Sequence, residues 1–276
     1  MTAEAKVAQH YGKGGIEQKI LGALPQVGLD PARLTAVDLA PVDEFHVGGL
    51  EATQELARQM ELRTGMHLLD VGCGIGGPAR YFASEHGCKV TGVDLTEEFV
   101  EVARSLTRMT KLEGSAKFEQ ASGLKLPFDA GRFDGAYMIH VGMNLANKAG
   151  VFSEVRRVLK PGGLFTIFDF MRMRDGAMQF PVPWASSEES SFVEDGKMYR
   201  DGLGAAGFRV EREGDRRAFA IEFTEERIAK MAQGEPAAAL GLQLLMGEQT
   251  PIMIHNILVM MKQGLLGPVQ IFARAV

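Results

Sequence analysis

The run Leu68-Leu69-Asp70-Val71-Gly72-Cys73-Gly74-Ile75-Gly76-Gly77 constrains this chain more than any other stretch. A short apolar segment suited to a buried strand leads into a glycine cluster, and helix-compatible residues follow from Pro78. Glycines at such a turn let a ligand approach bare backbone, beside the N–H groups that open a helix. Gly72, Gly74 and Gly77 also satisfy the dinucleotide spacing G-x-G-x-x-G. The glycines by themselves therefore admit a nicotinamide cofactor as well as an adenosyl one.

The surrounding pattern sets the fold class. Residues 67–71, 89–93, 117–120, 133–141 and 164–170 read as strands, and 78–85, 96–106 and 151–159 as the helices between them. Thr96 is placed to cap the second of these helices, whose Phe99, Val102, Ala103 and Leu106 share one face. Strand–helix alternation of this kind predicts an α/β, doubly wound, Rossmann-like parallel sheet covered on both faces. Further strands are expected at 208–213 and 269–276, with a helix at 199–206. Residues 1–50 contain no strand pattern and read as an N-terminal helical cap, broken around Gly12 to Gly15 and punctuated by Pro25, Pro31 and Pro41. The main domain then spans 51–276, opening with a helix at 51–62. Within it, 172–198 reads as a lid and 224–264 as a helical insertion interrupted at Gly241, Gly247 and Pro251.

Composition narrows the function classes. A net charge of −5 lacks the basic excess of a phosphate-binding surface, so no nucleic-acid partner is expected. Two cysteines, Cys73 and Cys88, make no disulfide framework, and no cysteine–histidine spacing suggests a metal. The N-terminus has no apolar signal core, and the stretch at 252–261 is too short to span a bilayer and carries His255 and Asn256. These features predict a cytoplasmic protein with no membrane span. A homodimer is compatible with them but not required.

Two acids separate the cofactor readings. Asp70 precedes the first glycine at the carboxyl edge of the sheet, where it would repel a pyrophosphate but suits a cationic amino-acid ligand. Asp94 ends the next strand, where a carboxylate accepts hydrogen bonds from ribose hydroxyls of either cofactor.

With these residues in order, the chain resembles the class I S-adenosylmethionine-dependent methyltransferases. The resemblance rests on the glycine loop, Val93-Asp94, Leu126-Pro127-Phe128 with Phe133-Asp134, and Leu159-Lys160-Pro161-Gly162-Gly163, covering roughly residues 50–170. It is nearest to the small-molecule branch, the quinone-biosynthesis C-methyltransferases and the sarcosine/dimethylglycine N-methyltransferases. Phe45-His46-Val47-Gly48-Gly49 is similar to the latter group. The resemblance implies a seven-stranded sheet with an antiparallel last strand and S-adenosylmethionine across the carboxyl ends of the first strands. It assigns Asp70, Gly72, Cys73, Gly74 and Gly76 to the methionine side and loop, Asp94 to the ribose, and Leu95 to the adenine. Where many relatives hold the adenine amino group with an acid, this chain has Ser122, so Ser122, Gly123 and Leu124 are expected to form that edge.

His140 follows the fourth strand, where the resemblance places the transferable methyl, and is the catalytic candidate. Methyl transfer is an in-line displacement in which alignment of the acceptor does much of the work. A neutral amine needs little else, whereas an acidic carbon or hydroxyl needs a base such as histidine. Tyr11 and His46 from the cap and Trp184 from the lid are expected to shape the acceptor pocket; Arg172 and Arg174 are weaker candidates for meeting an acceptor carboxylate. The expected function is methyl transfer to a small-molecule acceptor, at nitrogen, carbon or oxygen. The alternatives are a nicotinamide-dependent oxidoreductase and a non-catalytic S-adenosylmethionine-binding module.

Overall fold

A computed structural model describes residues 2–12, 14–232 and 239–276. In chain order, helices α1 (Ala3–Tyr11), α2 (Ile16–Ala23), α3 (Ala36–Asp43) and α4 (Gly49–Gln59) precede β1 (His67–Val71). There follow α5 (Gly77–His86), β2 (Lys89–Asp94), α6 (Glu97–Met109), β3 (Ala116–Gln120), β4 (Phe133–Ile139), α7 (Lys148–Val158) and β5 (Leu159–Arg172). The chain ends with α8 (Gly196–Ala205), β6 (Phe208–Asp215), α9 (Arg217–Ala232), α10 (Gln243–Met246), α11 (Thr250–Lys262) and β7 (Leu266–Ala275).

The strands form one seven-stranded sheet in the order β3-β2-β1-β4-β5-β7-β6. The first five pair in parallel, and β7 inserts antiparallel between β5 and β6. Strands such as β1 are buried from Leu68 to Val71, as helices on both faces of a parallel sheet require. Chain order reverses between β1 and β4, and a crevice at such a switch point is the usual ligand position in an open α/β sheet.

The expected class and antiparallel final strand are therefore present, with informative differences in detail. β5 begins at Leu159 and passes through Lys160-Pro161-Gly162-Gly163, because Leu159 pairs with Phe133 before the register shifts. Gly162, at φ +76°, permits that irregularity. Thr96 holds the expected N-cap position, but its side chain makes no capping hydrogen bond. The late helical region starts at Arg217 rather than 224, and Pro251 sits in the first turn of α11, where its missing N–H breaks no helical bond. Residues 233–238 of that region lie outside the described residues.

The N-terminal helices share the core of the main body. Ile16, Ile20, Leu24, Leu39 and Val42 pack with Ile75 and with Phe99, Val102 and Leu106 of α6. The apolar stripe read on α6 is thus buried largely beneath the cap. Beneath the same contact lies Arg80 of α5, fully buried. Its Nη2 donates to Asp43 Oδ2 at 2.6 Å and to the Ile75 carbonyl at 2.7 Å. Its Nη1 donates to Thr107 Oγ1 at 3.1 Å and to the Ala103 carbonyl at 3.3 Å. One guanidinium ties the cap, the glycine loop, α5 and α6 together, using the forked donor geometry that lysine lacks.

Removing one partner of a buried ion pair leaves the other charge uncompensated. Arg80→Ala is expected to lower the free energy of unfolding by about 3–5 kcal/mol in chemical denaturation. A loss below about 1 kcal/mol, the range of exposed ion pairs, would show that the contact is not structural.

Candidate active site

The carboxyl ends of β1, β2 and β4 open into a cavity of about 1550 Å³, walled also by the cap, residues 183–184 and the late helices. Its floor is the glycine loop. The Gly72 and Cys73 N–H groups both donate to the Val93 carbonyl, at 2.8 and 3.0 Å, fastening the loop to the end of β2. Gly72 has φ +74°, and a Cβ there would fall 2.5 Å from a methyl of Val141. Gly74, at φ +52°, has nothing within 4 Å of its Cβ position, so its backbone faces open space in the cavity wall. Gly76 does not. Its Cβ would meet Phe118 and Arg80 behind the loop, so the expected ligand contact at Gly76 is corrected to a packing and turn role.

Asp94 accepts from the Gly74 N–H at 3.0 Å through Oδ2 and from the Thr96 N–H at 2.9 Å through Oδ1. It remains in the cavity wall, and burial raises its pKa. Asp70 is buried deeper, accepts from the Tyr137 hydroxyl at 3.0 Å, and is pushed by burial up to about 8. A cation delivered to this cavity would favour the ionised form.

On the far side of Asp94, Leu95, Gly123 and Leu124 line the cavity. Ser122 is a second correction. It is not part of the wall; its hydroxyl donates to Glu4 Oε1 at 2.5 Å and accepts from the Leu124 N–H at 3.0 Å.

His140 stands at the other end. Its backbone is left-handed at φ +54°, held by an N–H donated to the Phe168 carbonyl at 2.7 Å. Its ring lies 5.0 Å from both Phe168 and Phe170 and 5.8 Å from His46, centroid to centroid. Nε2 of His140 is buried without a hydrogen-bond partner, and burial holds the pKa well below the ordinary value. His46 bonds through Nε2 to the Gly49 carbonyl and Thr53 Oγ1, both at 3.1 Å, and burial lowers it to about 4. Both imidazoles are therefore neutral near pH 7.

Trp184 is buried, stacks on Phe170 at 5.3 Å and donates its indole N–H to Ser191 Oγ at 3.0 Å. Tyr11 reaches Asn144 Oδ1 at 3.4 Å and lines the same cavity. Arg172 and Arg174 do not enter it; they donate to the carbonyls of Gly176 and Gln263. Sequence reasoning missed Glu44, a buried carboxyl in the wall that accepts from Thr53 Oγ1 at 2.7 Å and whose pKa burial raises well above the usual range. Adjacency to His46 was its one available signal. Leu245 and Ile257 of α10 and α11 were also missed as lining, since helical spacing shows burial but not what is buried against.

Among the described residues, no cluster of three or more His, Cys, Asp or Glu side chains could hold a metal ion, and no helix is long and apolar enough to cross a membrane.

Comparison with known proteins adds to this geometry. Residues 69–167 match the family described as a methyltransferase domain. A sterol 24-C-methyltransferase of Gibberella zeae is 40% identical over 116 residues, 42% of this chain and 30% of that relative. The chain spans less than half the length of the curated relatives it matches. Among solved structures, geranyl diphosphate C-methyltransferase from Streptomyces coelicolor superposes with a TM-score of 0.73 at 17% identity, over 100% of this chain and 98% of that one. The [4+2]-cyclase SpnF gives a TM-score of 0.70 at 22% identity, over 100% of this chain and 97% of that one. At these identities the structural likenesses show the seven-stranded fold.

Because Asp70 is mostly protonated near pH 7 and a cationic ligand favours its ionised form, ligand binding is expected to release a proton. Affinity for S-adenosylhomocysteine, which keeps the α-ammonium, should rise with pH up to about 8 and flatten above it. Calorimetry in buffers of different ionisation enthalpy reads the release directly. Asp70→Asn should abolish it, and a buffer-independent enthalpy for the unaltered protein would refute the pairing. Asp94→Ala should weaken binding about tenfold to a hundredfold, the scale of a lost hydrogen bond to a charged group.

Proposed function

We propose, from the match of residues 69–167 to a methyltransferase domain, that the chain transfers the methyl group of S-adenosylmethionine to a small, largely apolar acceptor. The observation that carries this reading is the continuity of one cavity from the glycine cradle to His140. Its volume of about 1550 Å³ exceeds the roughly 300–1,000 Å³ of a single-ligand pocket. It has room for a cofactor and an acceptor side by side.

The residues present fit the cofactor. Gly74 offers backbone with no side chain in the way, Asp94 is a fixed acceptor for ribose hydroxyls, and Asp70 is a buried carboxyl ready to ionise beside an ammonium. Bound there, S-adenosylmethionine supplies an electrophilic methyl group on a sulfonium. The chain's own residues do the rest. Phe170, Trp184, Met143 and Ile257 make the acceptor end apolar and exclude water, which strengthens every charge interaction within it. His140 presents an unpartnered Nε2 that can accept a hydrogen bond from an acceptor N–H or O–H and so orient its lone pair. The relative named for a sterol supports an apolar acceptor, without deciding which atom receives the methyl group.

The nicotinamide alternative loses its support, since residues 69–167 match a methyltransferase domain. The test is an acceptor panel of alkenes, amines and phenols, read by production of S-adenosylhomocysteine. Binding of that product without turnover on any member would favour a binding module over an enzyme; no binding would end the reading.

His140 is expected to position rather than to titrate. Because its pKa lies well below the usual value, kcat at saturating cofactor should show no limb near pH 6.5. His140→Ala should lower kcat about tenfold to a hundredfold through misalignment. A limb near pH 6.5 that vanishes in the variant would instead make the histidine a proton acceptor.

A further inference from the structure

The N-terminal helix reaches the cofactor end of the cavity as well as the acceptor end. Glu4, on the first turn of α1, lines the cavity with Leu95, Gly123 and Leu124. The hydrogen bond from Ser122 to its Oε1 spans 118 residues of sequence. The direction of that bond is set by its neighbours. Ser122 Oγ already accepts from the Leu124 N–H, so its one proton goes to the carboxylate.

The position of a nucleoside base follows from the same geometry. Asp94 closes β2 and holds the ribose in the reading above, with the glycine loop on its β1 side. The base must then extend the other way, over the end of β3, where Leu95 and residues 123–124 form the wall. Glu4 stands over that wall. A carboxylate has about four lone-pair sites, so after the bond from Ser122 its second oxygen can still take N–H donors.

We propose that Glu4 recognises the exocyclic amino group of adenine, so that seating α1 is part of reading the cofactor; this rests on the cofactor assignment made above. Adenine offers a donor at this edge. A purine with a 6-oxo group offers an acceptor, which would face the carboxylate lone pairs and leave buried polar groups unpaired. The role passes from Ser122, whose side chain the sequence aimed at the base, to the acid that Ser122 holds.

The same helix is fastened at its other end. Tyr11 bonds Asn144, and His10 Nε2 lies 3.1 Å from the Pro183 carbonyl, next to Trp184. Beyond it, the Gly14 and Ile16 N–H groups donate to Glu98 at 2.8 and 3.0 Å. One helix therefore touches the base wall at Glu4 and the acceptor wall at Pro183.

The experiment titrates the full chain, and its Glu4→Ala and Glu4→Gln variants, with S-adenosylhomocysteine and with S-inosylhomocysteine. The unaltered chain should prefer the adenosyl compound about tenfold or more. Glu4→Ala should weaken adenosyl binding by a similar factor and leave inosyl binding undiminished or improved. Glu4→Gln, whose amide can donate to a 6-oxo group, should improve inosyl binding. Thermal unfolding should match across the three proteins, since Glu4 lies in an accessible first turn. Equal loss of both ligands in Glu4→Ala, or an unaltered preference, would overturn the role of Glu4 while leaving the cofactor assignment standing. Failure of the unaltered chain to bind S-adenosylhomocysteine would overturn the cofactor assignment, and this inference with it.

Discussion

The molecule is organised around the buried guanidinium of Arg80. A charge with no access to water must find all its partners within the protein, and here those partners belong to parts of the chain far apart in sequence. Asp43 comes from the last turn of α3, Ile75 from the glycine loop, and Thr107 from α6. The cap cannot shift without exposing Arg80 to an unpaired interior, and the loop cannot shift without losing the guanidinium that holds its carbonyl. Gly77 sharpens the constraint, because a Cβ there would lie 2.4 Å from the Asp43 carbonyl. Helix α3 and the start of α5 therefore approach at a distance only glycine permits.

From that anchor the cavity divides into two chemically distinct ends. At the glycine loop the wall groups are bare backbone and two acids whose positions are set by hydrogen bonds within the sheet edge. Around His140 they are aromatic faces and imidazoles kept neutral by burial. The first end suits a polar nucleoside with an ammonium group, and the second suits an apolar body with few polar atoms. Glu44 is the exception at the second end. It is buried beside Asp43 and bonded to Thr53, and it places a carboxyl within the apolar chamber.

The fold was legible in the sequence because alternation and glycine placement are local signals. Leu68 to Gly77 announced a strand, a turn and a helix, and the structure has them. The cavity floor was legible for the same reason, since Asp70, Gly72, Gly74 and Asp94 sit at fixed places relative to their strands and line it together. What escaped depends on contacts between distant segments. Nothing local to Arg80 marks it as a buried junction, because arginine in an amphipathic helix ordinarily faces water. Gly76 looked like its neighbours in the loop, but only the packing of Phe118 and Arg80 behind it shows which way it faces. Ser122 stands behind the wall rather than in it, because its hydroxyl is taken by Glu4 from near the other end of the chain. The late helices were visible as helices, and the share of Leu245 and Ile257 in the cavity was not.

One consequence of the loop's internal bonding concerns when its order is established. The Val93 carbonyl takes two loop amides and Asp94 takes a third, all within the folded protein itself. The entropy of fixing this loop is therefore spent at folding, and a ligand arriving there meets a surface already in shape. On the proposed function, a preorganised cradle would treat the methylated and demethylated nucleosides alike wherever it met only the parts they share. A preference between the two would then arise where their charge differs, among the buried carboxyls and aromatic faces beyond the loop.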